Sequence, residues 1–228
     1  MDMTFSNWIP VIPSLLIENG EVEQFIIQGR DVAVWRSEKG HVQIWENRCP
    51  HRSVRLSLGQ VHGESLVCAY HGWQFAAEDG HCQRIPAQPE QRAPKSLCAK
   101  TYPVMEYLGM IWFAEEGIPH FDVLQQCPKD FFYAGSVTIQ TTIEQVKNYL
   151  LKHGLNAIFE QDNELLWRGA LDEHSLQIFI TPTDDATTTI HAILLNNRNV
   201  LSIHTWLKDM RKALEQEKMF PQECINHV

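Results

Sequence analysis

Two short runs constrain this chain more than anything else in it. Cys49-Pro50-His51-Arg52 and Cys68-Ala69-Tyr70-His71-Gly72-Trp73 read C-x-H, then sixteen residues, then C-x-x-H. Each run supplies one thiolate and one imidazole, a spacing that suits two loops closing over one metal centre. Two sulfurs and two nitrogens serve either a tetrahedral zinc ion or a [2Fe–2S] cluster whose outer iron takes His in place of Cys. Zinc modules usually gather their Cys in one C-x-x-C knuckle and their His in another. Here Cys and His alternate, as they must if both Cys hold one iron and both His the other. Cys49, His51, Cys68 and His71 are therefore the candidate ligands.

The pattern around these runs is that of a small all-β domain. Gln24–Gln28, Asp31–Arg36 and His41–Glu46 are rich in β-branched and aromatic residues, with Gly29 and Gly40 at the turns. Leu66–Cys68 leads into the second run and Gln74–Ala76 leaves it before an Asp79-Gly80 turn. Thr101–Tyr107 and Met110–Phe113 predict a hairpin across Leu108-Gly109, and Trp8–Ile17 reads as a proline-punctuated arm lying on a domain surface. Residues 115–130, with Gly117, Pro119 and Pro128, read as a linker. Beyond it, Phe132–Ile143 reads as a strand and Glu144–Gln161 as a helix. Ser175–Thr181 and Thr187–Leu195 then read as a strand pair. Ser202–Phe220 is an amphipathic helix with Ile203, Trp206, Leu207, Met210, Ala213 and Leu214 on one face. The expected fold class is α+β: an all-β domain over residues 1–114, then a reduced helix-on-antiparallel-sheet domain over 131–228.

The net charge of −9 argues against nucleic acid or an anionic membrane as partner. No basic-apolar leader and no run of about 18 apolar residues is present, so the expectation is a cytoplasmic protein. Cys82, Cys98, Cys127 and Cys224 lack paired spacing and read as reduced thiols.

Beyond the ligands, Leu56-Ser57-Leu58-Gly59, Tyr70-His71-Gly72-Trp73-Gln74-Phe75, Gly80-His81-Cys82 and Ile85-Pro86 follow one family pattern in order. The first half resembles the Rieske domain of aromatic-ring and O-demethylating Rieske oxygenases. The resemblance implies a Rieske [2Fe–2S] cluster on Cys49, His51, Cys68 and His71. Neither loop carries the second Cys of the high-potential respiratory type, which favours the lower-potential oxygenase type.

Residues 131–228 resemble the oxygenase catalytic domain in pieces, through Lys147-Asn148-Tyr149-Leu150-Leu151, Thr181-Pro182 with His191, and Leu207-Lys208-Asp209-Met210. That domain holds a mononuclear iron on two His and one carboxylate. Counted from Asn148, the bridging Asp of the family falls on Leu151, the first iron His on Gly154 and the second on Phe159; only Asp209 keeps a ligand type. Mononuclear Fe(II) is therefore not expected, and much of the substrate pocket reads as deleted. A rebuilt site would have to draw on His153, Asp209, His191 or Glu160.

Three functions follow from this resemblance. The first is an electron-transfer subunit, fed by a separate flavin/iron–sulfur reductase and passing electrons to a full-length oxygenase partner in a homo- or hetero-oligomer. The second is a self-sufficient oxygenase with displaced iron ligands. The third is a non-catalytic assembly or regulatory chain with a structural cluster. The strand pair and last helix are expected to leave apolar faces uncovered, which would make this half an assembly surface. Arg55 is expected either to face the cluster or to pair with a carboxylate.

Overall fold

A computed structural model describes residues 7–116, 131–157, 164–171, 174–195 and 200–219. The expected linker lies, except for Glu115 and Glu116, outside the described residues. The chain divides into two compact units: Val11–Gln126, and Met1–Pro10 with Cys127–Val228. Among the described residues the fold is α+β, mostly sheet with two α-helices.

The first unit is built of short antiparallel strands. β1 (Ile9–Pro13), of which Val11–Pro13 belong to this unit, is buried along its length and joins a three-stranded sheet with the later hairpin β10 (Val104–Tyr107) and β11 (Met110–Phe113). The arm expected on the surface is thus in part an interior strand: its apolar residues gain more from a sheet than from an exposed groove. β2 (Val22–Ile27), β3 (Arg30–Arg36), β4 (Val42–Glu46) and β9 (Thr101–Tyr102) form a second sheet. Gln28-Gly29 and Leu108-Gly109 take positive φ and close two-residue hairpins whose twist matches the strands. Pro103 separates β9 from β10, splitting one expected strand into members of two sheets.

The third sheet is the one that carries the second of the two Cys/His runs, between β6 and β7. β5 (Gln60–His62), β6 (Ser65–Val67), β7 (Gln74–Ala76) and β8 (Cys82–Arg84) follow each other as antiparallel neighbours. Trp35, Trp45, Leu56, Leu66 and Phe75 form the core between this sheet and the second one, and Cys49 and Cys68 belong to the same buried cluster.

The second unit has a five-stranded antiparallel sheet, in the order β12 (Phe132–Ile139), β16 (Thr187–Leu194), β15 (His174–Asp184), β14 (Leu166–Leu171) and β13 (Asn156–Ala157). Helix α1 (Ile143–Lys152) begins with a capping box in which Thr142 and Gln145 satisfy each other's backbone N–H. It stops nine residues before the expected end. Gly154 has φ +77°, its N–H donates to the Leu151 carbonyl, and the Leu155 N–H donates to the Leu150 carbonyl. That is the Schellman arrangement, sealed by the buried side chains of Leu150 and Leu155. Helical spacing in the sequence continued, but the left-handed glycine ended the helix.

Helix α2 (Val200–Met219) buries Ile203, Leu207, Met210 and Leu214 against the sheet, in one core with Ile139, Ile178, Ile180, Ile190 and Ala192. The expectation of an uncovered apolar face is therefore corrected. β14, a strand the sequence reading did not find, widens the sheet beyond the expected strand pair. No helix among the described residues is long and apolar enough to cross a membrane.

Candidate metal centre

The two metal-binding loops are built on the same backbone turn. In the first, the Cys49 N–H donates to the Val54 carbonyl and the Ser53 N–H to the Cys49 carbonyl, both at 2.8 Å. In the second, the Cys68 N–H donates to the Trp73 carbonyl (2.9 Å) and the Gly72 N–H to the Cys68 carbonyl (3.0 Å). The fifth residue of each turn takes the left-handed conformation, Ser53 at φ +59° and Gly72 at φ +68°. Each turn therefore starts on a buried Cys and folds back over it, which puts both thiols on the inner side. The His offset differs, two residues past Cys49 and three past Cys68, yet the two Nδ1 atoms end 3.2 Å apart.

The loops are drawn together where the first one ends. A Cβ placed on Gly59 would stand 2.2 Å from the carbonyl oxygen of Val67, so only glycine permits this approach of the first loop to the residue before Cys68. At the other root, buried Asn47 donates to Asp31 (2.8 Å) and to the Ser57 hydroxyl (2.9 Å) and accepts from the Ser57 N–H (2.8 Å). Arg55 donates from Nε to the same Asp31 at 3.0 Å, so of its two expected orientations the carboxylate pair is the observed one.

Aromatic rings hold the imidazoles. Trp73 stacks on His51 at 4.0 Å and 10°, and Tyr70 lies over His71 at 3.9 Å and 33°. The donor set is graded by environment. Cys49 and Cys68 are buried, and burial, helped by the neighbouring Cys68 thiol, pushes the Cys49 thiol up to about 11. Partial burial of the ring, with the nearby His71 and Arg52, holds His51 below its ordinary value. The His51 ring is thus biased toward the neutral form that can ligate a metal. His71 is exposed.

Among the described residues, no three His, Cys, Asp or Glu converge on one ion. The sulfurs and the ring nitrogens come together as two pairs instead. That suits a two-iron cluster with one pair on each metal better than a single tetrahedral zinc.

The remaining candidates are not brought together. His153 is exposed at the end of α1, bonded through Nδ1 to the Tyr149 carbonyl (2.8 Å) and stacked on the Tyr149 ring. His191 is buried in β16 between Ser136 (2.5 Å) and Thr181 (3.2 Å). Asp209, Leu151 and Gly154 are exposed, and Phe159 and Glu160 lie outside the described residues. Cys82 is buried and Cys98 exposed, both free thiols, while Cys127 and Cys224 lie outside the described residues. Sequence reading missed the Ser53 turn and the Asn47–Asp31 latch. The first has no residue-type signature, and the second joins segments 16 positions apart.

Residues 7–103 match the Rieske [2Fe-2S] domain. The chain is 37% identical over 107 residues to Oxidoreductase NdmD of Pseudomonas putida, a stretch covering 47% of this chain and 18% of that protein. It is also 37% identical over 107 residues to the 3-chlorobenzoate-3,4-dioxygenase oxygenase subunit of Comamonas testosteroni, covering 46% and 24%. The matched stretch thus spans about a fifth of these relatives' length. Among solved structures, Pseudomonas putida CBB5 NdmA with caffeine matches with TM-score 0.70 at 18% identity, over 97% of this chain and 83% of that one. Dicamba monooxygenase bound to dicamba matches with TM-score 0.70 at 16% identity, over 96% and 90%. Residues 7–103 are a Rieske [2Fe–2S] domain, set in a chain that shares its fold with NdmA and dicamba monooxygenase.

Proposed function

We propose that this chain is an electron-transfer subunit of a Rieske oxygenase system, with its cluster held by Cys49, Cys68, His51 and His71. The observation that carries the reading is the sorting of ligands into an inner pair and an outer pair. The two thiols are shut into the core, while the imidazole edge of His71 reaches the surface. When bound, the cluster supplies one-electron chemistry. The chain's own residues give that electron a direction: Trp73 and Tyr70 fix the rings of His51 and His71, and the core around Trp35, Trp45 and Phe75 keeps water from the sulfurs. Neutral imidazoles in place of thiolates leave the cluster less negative, which raises its potential above that of plant-type ferredoxins.

On this reading, a separate flavin/iron–sulfur reductase supplies electrons, and a full-length oxygenase subunit, assembled with this chain, receives them. The scatter of His153, His191 and Asp209 supports a donor role over an autonomous oxygenase, since dioxygen activation at such a site needs two His and a carboxylate on one iron. The test is metal and sulfide content of the purified chain together with its electron paramagnetic resonance (EPR) spectrum. Two irons, two sulfides and a reduced Rieske signal lost in His71→Ala are expected. Three irons with substrate-coupled oxygen uptake would overturn the proposal in favour of a self-sufficient oxygenase.

A further inference from the structure

A bulge in β12 gathers four polar side chains on one face of the second unit's sheet. β12 stands at one edge of that sheet, and its register against β16 slips between Tyr133↔Ile193 and Gly135↔Ala192. Ala134 is thus the extra residue, and Gly135 takes up the slip at φ +135°, a value that favours glycine. In a regular strand Tyr133 and Ser136, three residues apart, would point to opposite faces. With the bulge their hydroxyl oxygens stand 2.8 Å apart. Ser136 is in turn the register partner of His191 in β16, and its Oγ lies 2.5 Å from His191 Nδ1. On the other side of the ring, His191 Nε2 is 3.2 Å from Thr181 Oγ1 in β15, and Thr181 donates to the Pro10 carbonyl at 2.6 Å.

That last bond sets the direction of the others. A carbonyl oxygen only accepts, so the single Thr181 hydroxyl proton is committed to Pro10 and Thr181 meets the ring as an acceptor. Nε2 therefore carries the proton of the neutral ring, and Nδ1 presents a lone pair. The Ser136 proton points at Nδ1, which leaves the Tyr133 O–H to donate to Ser136 Oγ. His191 and Thr181 are 4% and 3% exposed, whereas Ser136 is open to solvent. An accessible hydroxyl is thus held against a shielded base whose second nitrogen is fixed by a third group.

From this geometry we propose that Ser136 is an activated nucleophile that takes the acyl group of small carboxylic esters with a good leaving group, with His191 as its base. The Oγ–acyl carbon bond forms as the Oγ proton passes to His191 Nδ1, and Tyr133 steadies the charge that Oγ gains. The ester C–O bond then breaks, and the leaving oxygen takes its electron pair and that proton. Thr181 is a positioning residue, acting through the ring. A merely structural strut between β12 and β15 predicts instead no reactivity above that of an ordinary exposed serine such as Ser96.

The experiment uses the full chain and an alkyl fluorophosphonate, whose phosphorus takes the same attack: the Oγ–P bond forms, the P–F bond breaks and fluoride leaves with the proton. Labelled peptides are followed in time by mass spectrometry. Ser136 should be labelled about a hundredfold faster than Ser96 in the same molecule, the low end of what a placed base contributes. Ser136→Ala should lose the fast label, and His191→Gln should slow it to the rate of Ser96. Thr181→Val, which lets the ring change tautomer, should slow it by about tenfold, while Thr181→Ser should keep the rate. Pre-treatment with the fluorophosphonate should also remove part of the p-nitrophenol release from p-nitrophenyl acetate. Ser136 labelled no faster than Ser96, His191→Gln labelled as fast as the unmodified chain, or ester cleavage untouched by the pre-treatment would each overturn the proposal. The comparison with Ser96 is internal to one molecule, so it decides even where a variant folds poorly. The cluster assignment stands in either case.

Discussion

Asn47 holds the first metal-binding loop at its root by using both ends of one amide. It accepts from the Ser57 N–H and donates to Ser57 and Asp31 while 4% exposed. Asn47→Ala leaves the Ser57 N–H short of a partner, although Asp31 Oδ1 keeps the Gln24 amide, and losing a buried acceptor costs about 1–3 kcal/mol. The expected outcome is a denaturation midpoint lowered to that extent and a cluster lost more readily on dilution, read by the decay of its visible absorbance. Arg55 makes the contrary case. Its guanidinium and the Asp31 carboxylate stand at a surface site where solvent and salt screen their charge, so Arg55→Gln should leave the midpoint potential nearly unchanged in a redox titration. At this scale the pairing of the two thiols and two imidazoles was legible as a candidate ligand set because alternating Cys and His is a chemical pattern in the sequence itself. The identical turns behind them were not. Glycine at 72 hints at a positive φ, but Ser53 adopts one with no such hint, and only the paired hydrogen bonds to the Cys backbone hold it there.

Helix α1 shows what an element owes to its ends. An alanine at Gly154 would find open space for its Cβ, so the cost of Gly154→Ala is conformational alone: about 1–2 kcal/mol for a left-handed residue with a side chain. Chemical denaturation should register that loss with the helix content of the native state unchanged. The same helix is tied along its flank by Lys147, which meets Glu144 and Glu164. Lys147 is pulled down by partial burial but ends above its ordinary value because of the Glu164 and Glu144 carboxylates, and its ammonium holds Glu164 below. A lowered carboxylate stabilises above its unfolded pKa, near 4.3, and the gain is lost as pH falls through the folded value. A raised ammonium stabilises below its unfolded pKa, near 10.4, and the gain is lost as pH rises through the folded value. Lys147→Met should therefore cost stability on the plateau between these limits, by no more than about 1 kcal/mol given the exposure of Glu164, and little below pH 3. Urea unfolding at pH 7 and pH 3 separates the two. Periodicity located α1, α2 and most strands because apolar spacing is local information. It overran Gly154 because Leu155 and Ala157 continue the apolar spacing, although Leu155 is buried as the cap contact and Ala157 lies in β13. β14 escaped because Arg168 and Gly169 interrupt its apolar run, and its pairing with β15 is what makes it a strand.

At the scale of the molecule, each unit closes a core of its own. One gathers Trp35, Trp45, Phe75 and the thiols of Cys49 and Cys68; the other gathers Ile139, Ile178, Ile190, Leu207 and Met210. An all-β half followed by a helix-bearing half was the expectation from the strand and helix patterns on either side of residues 115–130. The coverage of α2 was not legible, because it depends on a strand with a weak pattern and on how far a sheet extends. This matters for what the second half is for. An assembly role argued from a bare apolar stripe loses its premise once Ile203, Leu207, Met210 and Leu214 are found buried. Separate cores also make a prediction. Leu207 is 1% exposed, and truncating a buried leucine to alanine costs about 2–5 kcal/mol through lost transfer energy and the cavity left behind. Leu207→Ala should lower the thermal midpoint followed by helical circular dichroism by several degrees. The Rieske EPR line shape, recorded below that midpoint, should be unchanged, because neither thiol nor imidazole shares the damaged core. A broadened or lost Rieske signal at temperatures where the helices are intact would show instead that the ligand geometry depends on the second core.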